Sequence, residues 1–172
     1  HQGRSGRPRA GLAQVKLHLA AVLLASATAA DLVTKAWARS SLDPAAPVEL
    51  LPVLWLQLAF NEGVSFSLLL PRSDFEGVLL LLLTGFLTLL VAAWAVVTRG
   101  DRRAALTVIA GGALGNLVDR LTHGGVTDFL LLRAGEQGLF AFNLADLWIT
   151  LGLLLLLRAS ARPQPLPAGS PL

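Results

Sequence analysis

The chain has 172 residues, of which 54% are hydrophobic and 15% charged, with a mean hydropathy of +0.64 and a pI near 10.6. Soluble domains carry about a quarter charged residues, so this composition belongs to a membrane protein, long enough for one bundle of spans of about 20 residues each. The absence of cysteine excludes disulfides, thiolate metal sites and a cysteine nucleophile, and the basic residues cluster at the ends of apolar runs, where they signal topology rather than a nucleic-acid surface.

Residues 1–14, with Arg4, Arg7 and Arg9, read as a basic, disordered cytoplasmic tail. The first apolar run, 15–37, has Lys16 at its head and Asp31 and Lys35 near its end. A cleaved signal peptide would stop at the small residues within it, but the run continues through DLVTKAWA and is expected to be the first spanning helix. Residues 40–73 contain Pro44, Pro47, Pro52 and Pro71 together with partial apolar alternation, which predicts short strands lying at the membrane surface. Residues 75–97 form the cleanest span, and TRGDRR at 98–103 a short basic turn. The third helix, 104–121, carries Gly111, Gly112 and Gly115, small residues that let helix backbones approach closely in lipid. A second extramembrane loop at 122–142, a fourth helix at 143–157 and a proline-rich, disordered cytoplasmic tail at 159–172 complete the chain.

The expected fold is an all-α membrane bundle of four transmembrane helices. It forms a single domain over 15–158, with outer-face loops at about 40–74 and 122–142 and a small extramembrane β-rich platform between helices one and two. With four crossings the basic ends fall on one side, so the positive-inside tendency places both termini in the cytoplasm and the conspicuous aspartates outside.

Asp31 and Lys35 are four positions apart and share a helix face, a spacing that makes a local ion pair. Asp119 and Arg120, beside Asn116, are adjacent and therefore face different partners; Arg120 is suited to fixing a carboxylate or a backbone carbonyl. Asp128 and Asp146 flank the last loop. Brought together in a low-dielectric site they would share a proton, the ionised member taking a proton from water while the other polarises a carbonyl. By spacing alone the same carboxylates also serve a proton relay or a cation site, or fix helix packing in a non-catalytic lipid- or peptide-binding protein. His1, His18 and His123 are not spaced as metal ligands, there is no HExxH, and serine chemistry would have only His123 as its base.

Five ordered motifs carry a resemblance: DLVTK (31–35), NEGVSFS (61–67), GGALGNLVDR (111–120), GGVTDF (124–129) and FNLAD (142–146). Together, over nearly all of 15–158, they resemble lipoprotein signal peptidases (signal peptidase II), bacterial membrane aspartyl peptidases. The resemblance implies removal of signal peptides from diacylglyceryl-modified prolipoproteins, cut just before the lipidated cysteine at the outer face of the bacterial inner membrane. It implies no metal and no cofactor; the partners expected are the prolipoprotein and membrane lipids, with no nucleic acid and with the protein a monomer. Asp128 and Asp146 would be the catalytic dyad. Asn61, Gly63, Asn116, Arg120 and Asn143 would shape the site or hold the substrate backbone, with Asp31, Lys35 and Asp119 in support. Val64 and Ser65 stand where the family often has alanines. Trp37, Trp55 and Trp148 are expected as interfacial anchors.

Overall fold

The computed structural model describes residues 7–63, 73–135 and 137–161. The expectations for the extreme tails and for Val64, Ser65, Phe66 and Ser67 lie outside the described residues. Four helices, α1 (Arg7–Ser41), α2 (Asp74–Val97), α3 (Asp101–His123) and α4 (Leu144–Ala161), are long and apolar enough to cross a membrane. The first begins at Arg7, ahead of position 15, so residues 7–14 are helical where a disordered tail was expected.

In α3 half of the most apolar window is buried, whereas the other three spans leave most of theirs exposed. On α2 the buried positions Leu80, Thr88 and Ala95 form one stripe, while Leu82, Phe86 and Leu89 project outward. An apolar helix with a single packed stripe is suited to lipid on its remaining faces. The centrality of α3 depends on its glycines. A Cβ at Gly112 would lie 2.5 Å from the carbonyl oxygen of Ala145 in α4, and one at Gly115 would collide with the Asp31 carboxylate of α1. The helix ends at His123 because Gly124 takes a left-handed φ of 78° and donates its N–H to the Arg120 carbonyl.

The two extramembrane connections build one antiparallel sheet in the order β1 (Val48–Leu51), β2 (Leu54–Asn61), β3 (Val126–Ala134) and β4 (Gln137–Phe142). This corrects the expected platform between helices one and two: half of it comes from the connection between α3 and α4, which had been read as loop. The physical reason is twofold. An isolated hairpin is marginal in water and gains stability from further strands, and VTDFLLLRA is buried on both faces over its first four residues, which erases the alternation that marks a strand. Strand β2 holds one extra residue between Leu56, paired with Leu130, and Ala59, paired with Asp128. That bulge lies beside Leu58, which packs with Phe129 against Ala38 of α1 and seats the sheet on the bundle. Trp37 meets Phe129 edge to face, with ring centroids 6.5 Å apart.

The glycine contacts give a graded prediction. Gly115→Ala should destabilise the protein by about 1–3 kcal/mol, because its methyl group overpacks against Asp31. Gly85→Ala, whose Cβ would meet Leu117 at an ordinary 3.7 Å, should be neutral or stabilising through helix propensity. Thermal unfolding of both variants in detergent checks the order.

Candidate active site

The site begins at the N-terminus of α4. Asn143 precedes the helix, and its Oδ1 accepts the backbone N–H of Asp146 at 3.1 Å, while Asp146 Oδ2 accepts the backbone N–H of Asn143 at 3.1 Å. This reciprocal pair is a capping box in which an aspartate takes the acidic position. With Oδ1 committed to a donor, the Asn143 amide nitrogen is free to point elsewhere, and it donates to Asp128 Oδ1 at 2.7 Å. One buried asparagine thus holds both aspartates.

Strand β3 brings Asp128 to this point, 3% exposed, where Asn61 Nδ2 at the end of β2 approaches its second oxygen at 3.4 Å. Asn61 is oriented in the same way, since its Oδ1 accepts the Gly63 N–H at 3.0 Å. Burial, and after it the nearby Asp146 charge, together push the Asp128 carboxyl up from its usual 3.8 to about 6 against the lowering donors Asn143 and Asn61 and the Lys35 charge. Both aspartates line a cleft of about 420 Å³ with Asn61, Asn116 and Arg120. Its other walls are apolar, formed by residues such as Leu132, Phe140, Phe142, Leu147 and Ile149.

Behind the pair lies a fully buried cation. Lys35 Nζ contacts Asp31 Oδ2 at 2.7 Å and donates to Asn116 Oδ1 at 2.6 Å. An ammonium has donors only, so Asn116 must offer it oxygen; its amide nitrogen then donates to Asp146 Oδ1 at 3.1 Å. Asp31 Oδ1 accepts the Ala145 N–H at 2.8 Å, which ties α1 to the first turn of α4. The expected Asp31–Lys35 pair is therefore present and continuous with the aspartates through Asn116.

Asp119 makes a second junction. It accepts Arg39 at 2.9 Å and the Thr127 backbone N–H at 2.6 Å, and lies 2.9 Å from His123 Nδ1 and 3.8 Å from Lys35 Nζ. Arg39 also donates to Thr127 Oγ1 at 2.7 Å, so α1 and α3 together grip β3 one residue before Asp128. Arg120 points away from Asp119 and donates to the Gly63 carbonyl at 2.8 Å, the second of the two partners its position allowed.

The structure gathers Asp128, Asp146, Asn61, Asn116, Asn143 and Arg120 at one place, with Asp31 and Lys35 linked to them through hydrogen bonds. Gly63 joins through backbone contacts, and Asp119 sits one step behind. Arg39 and Thr127 were missed. Arg39 had a readable signal, since 31, 35 and 39 follow at intervals of four on one helix face; Thr127 had none, being recruited through its backbone as much as its hydroxyl. Trp55 stacks under Arg133, 4.4 Å from guanidinium carbon to ring centroid, and Trp148 packs its Cβ side on Gly112.

Fold and site define a multi-pass membrane protein with a carboxylate pair where the sheet meets one end of its helices. Comparison with known proteins identifies its kind. The sequence profile described as Signal peptidase (SPase) II matches residues 23–162, and the chain belongs to that family of peptidases. A lipoprotein signal peptidase of Azoarcus sp. (strain BH72) is 37% identical over 147 residues, covering 82% of this chain and 81% of the relative. One from Methylocella silvestris is 39% identical over 142 residues, covering 81% and 83%, and one from Aquifex aeolicus 43% over 112 residues, covering 64% and 67%. A bacterial membrane enzyme solved by the in meso method at 2.3 Å resolution shares the fold, with a TM-score of 0.72 at 20% identity over 87% of this chain and 95% of that one.

Two measurements follow from the geometry. Removing one member of the buried Asp31–Lys35 pair, as in Lys35→Leu, should cost roughly 3–5 kcal/mol because it strands a charge, whereas Asp31→Leu/Lys35→Leu should cost less than the sum of the single changes. Unfolding of the four proteins in a double-mutant cycle tests this. Asp128 binds its proton more tightly folded than unfolded, so its contribution to stability is complete below about 4. That contribution is lost as pH rises through about 6. The fall in Tm between pH 4 and 7 should therefore be shallower in Asp128→Asn than in the wild type.

Proposed function

We propose that the protein is a membrane aspartyl endopeptidase that removes signal peptides from diacylglyceryl-modified prolipoproteins, cutting just before the lipidated cysteine. The observation that carries this reading is the Asn143 side chain, bonded at once to Asp128 and to the backbone of Asp146 at a cleft with polar groups on one side and apolar walls on the other. A peptide needs the polar part; acyl chains arriving through lipid suit the rest.

Asp146 receives two N–H donors, from the Asn143 backbone and the Asn116 amide, at the start of α4, which hold it in position to take a proton from water. Asp128, raised to about 6, is the member that holds the shared proton. Water attacks the scissile carbonyl carbon as Asp146 takes its proton and Asp128 gives its own to the carbonyl oxygen. When the C–N bond breaks, Asp146 passes its proton to the leaving nitrogen and Asp128 recovers one from the diol, which restores the starting state. Lys35 and Asp31 keep Asn116 turned toward Asp146, Asp119 holds the β3 backbone, and Arg120 with Gly63 forms the outer lip. The chemistry calls for no metal or cofactor. The basic ends at Arg99, Arg102, Arg103 and Arg158 support an orientation with both termini in the cytoplasm and the cleft at the outer face of the inner membrane; one copy suffices for the site.

The test is incubation of the detergent-purified protein with a diacylglyceryl-modified prolipoprotein, read as a mass shift on a gel. Asp128→Asn and Asp146→Asn should each lower turnover by about 100-fold or more while remaining folded. A folded Asp128→Asn protein that cleaves at a near-normal rate overturns the assignment. The ratio kcat/KM should decline as pH rises through about 6, where free Asp128 loses its proton; a rate constant flat from pH 5 to 8 assigns the proton elsewhere.

A further inference from the structure

Both chain neighbours of Asp128 are held by the same helix. Successive side chains of a strand alternate between its faces, so Thr127 and Phe129 share the face opposite Asp128. Phe129 packs with Leu58 on Ala38 of α1 and meets the Trp37 ring edge to face. Thr127 has no exposed surface, and its hydroxyl accepts Arg39 Nη1 of α1 at 2.7 Å. Strand β3 is therefore fastened to α1 on either side of Asp128. The carboxyl group itself has less to hold it: one short bond from Asn143 at 2.7 Å and a long one from Asn61 at 3.4 Å. Its direction depends on how the strand is rolled about its axis.

Arg39 does more here than balance Asp119. The same Nη1 donates to Asp119 Oδ1 at 2.9 Å, while Asp119 Oδ2 accepts the Thr127 backbone N–H at 2.6 Å. An ion pair alone would end at Asp119. The further bond, to a neutral hydroxyl, ties the guanidinium to the strand, so the residue before Asp128 is gripped through side chain and backbone together. We propose that Arg39 is a positioning residue for the reaction: through Thr127 it fixes the roll of β3 and so turns Asp128 into the cleft. The inference rests on the peptidase reading above and adds to it what sets the angle of the proton-bearing carboxyl. Misplacing a reacting group by about 1 Å can slow a reaction on the order of 100-fold, so such a hold matters to rate before it matters to binding.

Two experiments test this on the detergent-purified protein, well below the Tm of each variant. The first measures kcat and KM with a synthetic diacylglyceryl-modified peptide spanning the cleavage site. Arg39→Met, which keeps length and loses the donors, should lower kcat by about 10- to 100-fold with KM within about twofold. Thr127→Val keeps the backbone bond to Asp119 and loses only the hydroxyl; kcat should fall about three- to tenfold. The double variant should be no slower than Arg39→Met within about twofold, because both changes break one link. Both bonds leave a single nitrogen, so an ammonium can stand in for it, and Arg39→Lys should recover most of the loss. The second experiment needs no turnover. Asn143 Nδ2 donates to Asp128 Oδ1, so the NMR shift of its amide proton reports where Asp128 lies. That signal should move toward the value of a solvent-exposed asparagine in Arg39→Met and in Thr127→Val, and return in Arg39→Lys. Folded variants with a lowered Tm but wild-type kcat, losses carried by KM, or an Asn143 signal that stays in place overturn the inference. A wild type that binds the peptide but does not cleave it sinks the peptidase reading alone, and the Asn143 signal still decides the role of Arg39.

Discussion

Burying an ionisable group among apolar helices is tolerable only when its polar atoms find partners, and that requirement organises this molecule. Lys35 has no exposed surface, so it draws Asp31, Asn116 and Asp119 around it. Each of those in turn reaches another element: Asp31 the start of α4, Asn116 the carboxylate of Asp146, Asp119 the backbone of β3. Removing the cation would leave charges without compensation in a low-dielectric interior. The glycines of α3 belong to the same arrangement, because a methyl group at Gly115 would occupy the space of the Asp31 carboxylate.

Three asparagines translate this framework into orientation at the aspartates. An amide has one accepting and one donating end, so a fixed donor on one side dictates what the other side offers. Lys35 turns Asn116, the Gly63 N–H turns Asn61 and the Asp146 N–H turns Asn143, and in each case the amide nitrogen is left facing a carboxylate. Carboxylates surrounded by such preset dipoles need little rearrangement when charge shifts during reaction. The raised Asp128 carboxyl and the anchored Asp146 are two outcomes of one environment.

Much of this was legible in the chain itself. The four helices follow from apolar length, and the polar residues near their ends were conspicuous because such groups are rare in membrane spans. The sheet was only half legible. Residues 48–61 alternate well enough to read as strands, but 126–134 are buried on both faces at their start and so lack a period. The pairing of β2 with β3 joins segments separated by two helices, and nothing local encodes it. Arg39 lies just past 37, where the first helix is expected to end, and its role emerges only where Asp119 and Thr127 close on it. Which side of an asparagine faces which partner emerges only from the assembled donors and acceptors.

The split origin of the sheet has a consequence for how the protein comes into being. Asn61 precedes α2, Asp128 follows α3 and Asp146 lies in α4, so the groups around the cleft are spread over most of the chain in order of synthesis. A nascent chain with two helices in the bilayer holds β1 and β2 with their partner strand still unmade. Only when α4 is in place can Asn143 cap it and bridge the pair. The site is thus absent from every nascent chain that has not yet reached α4, and that helix completes it.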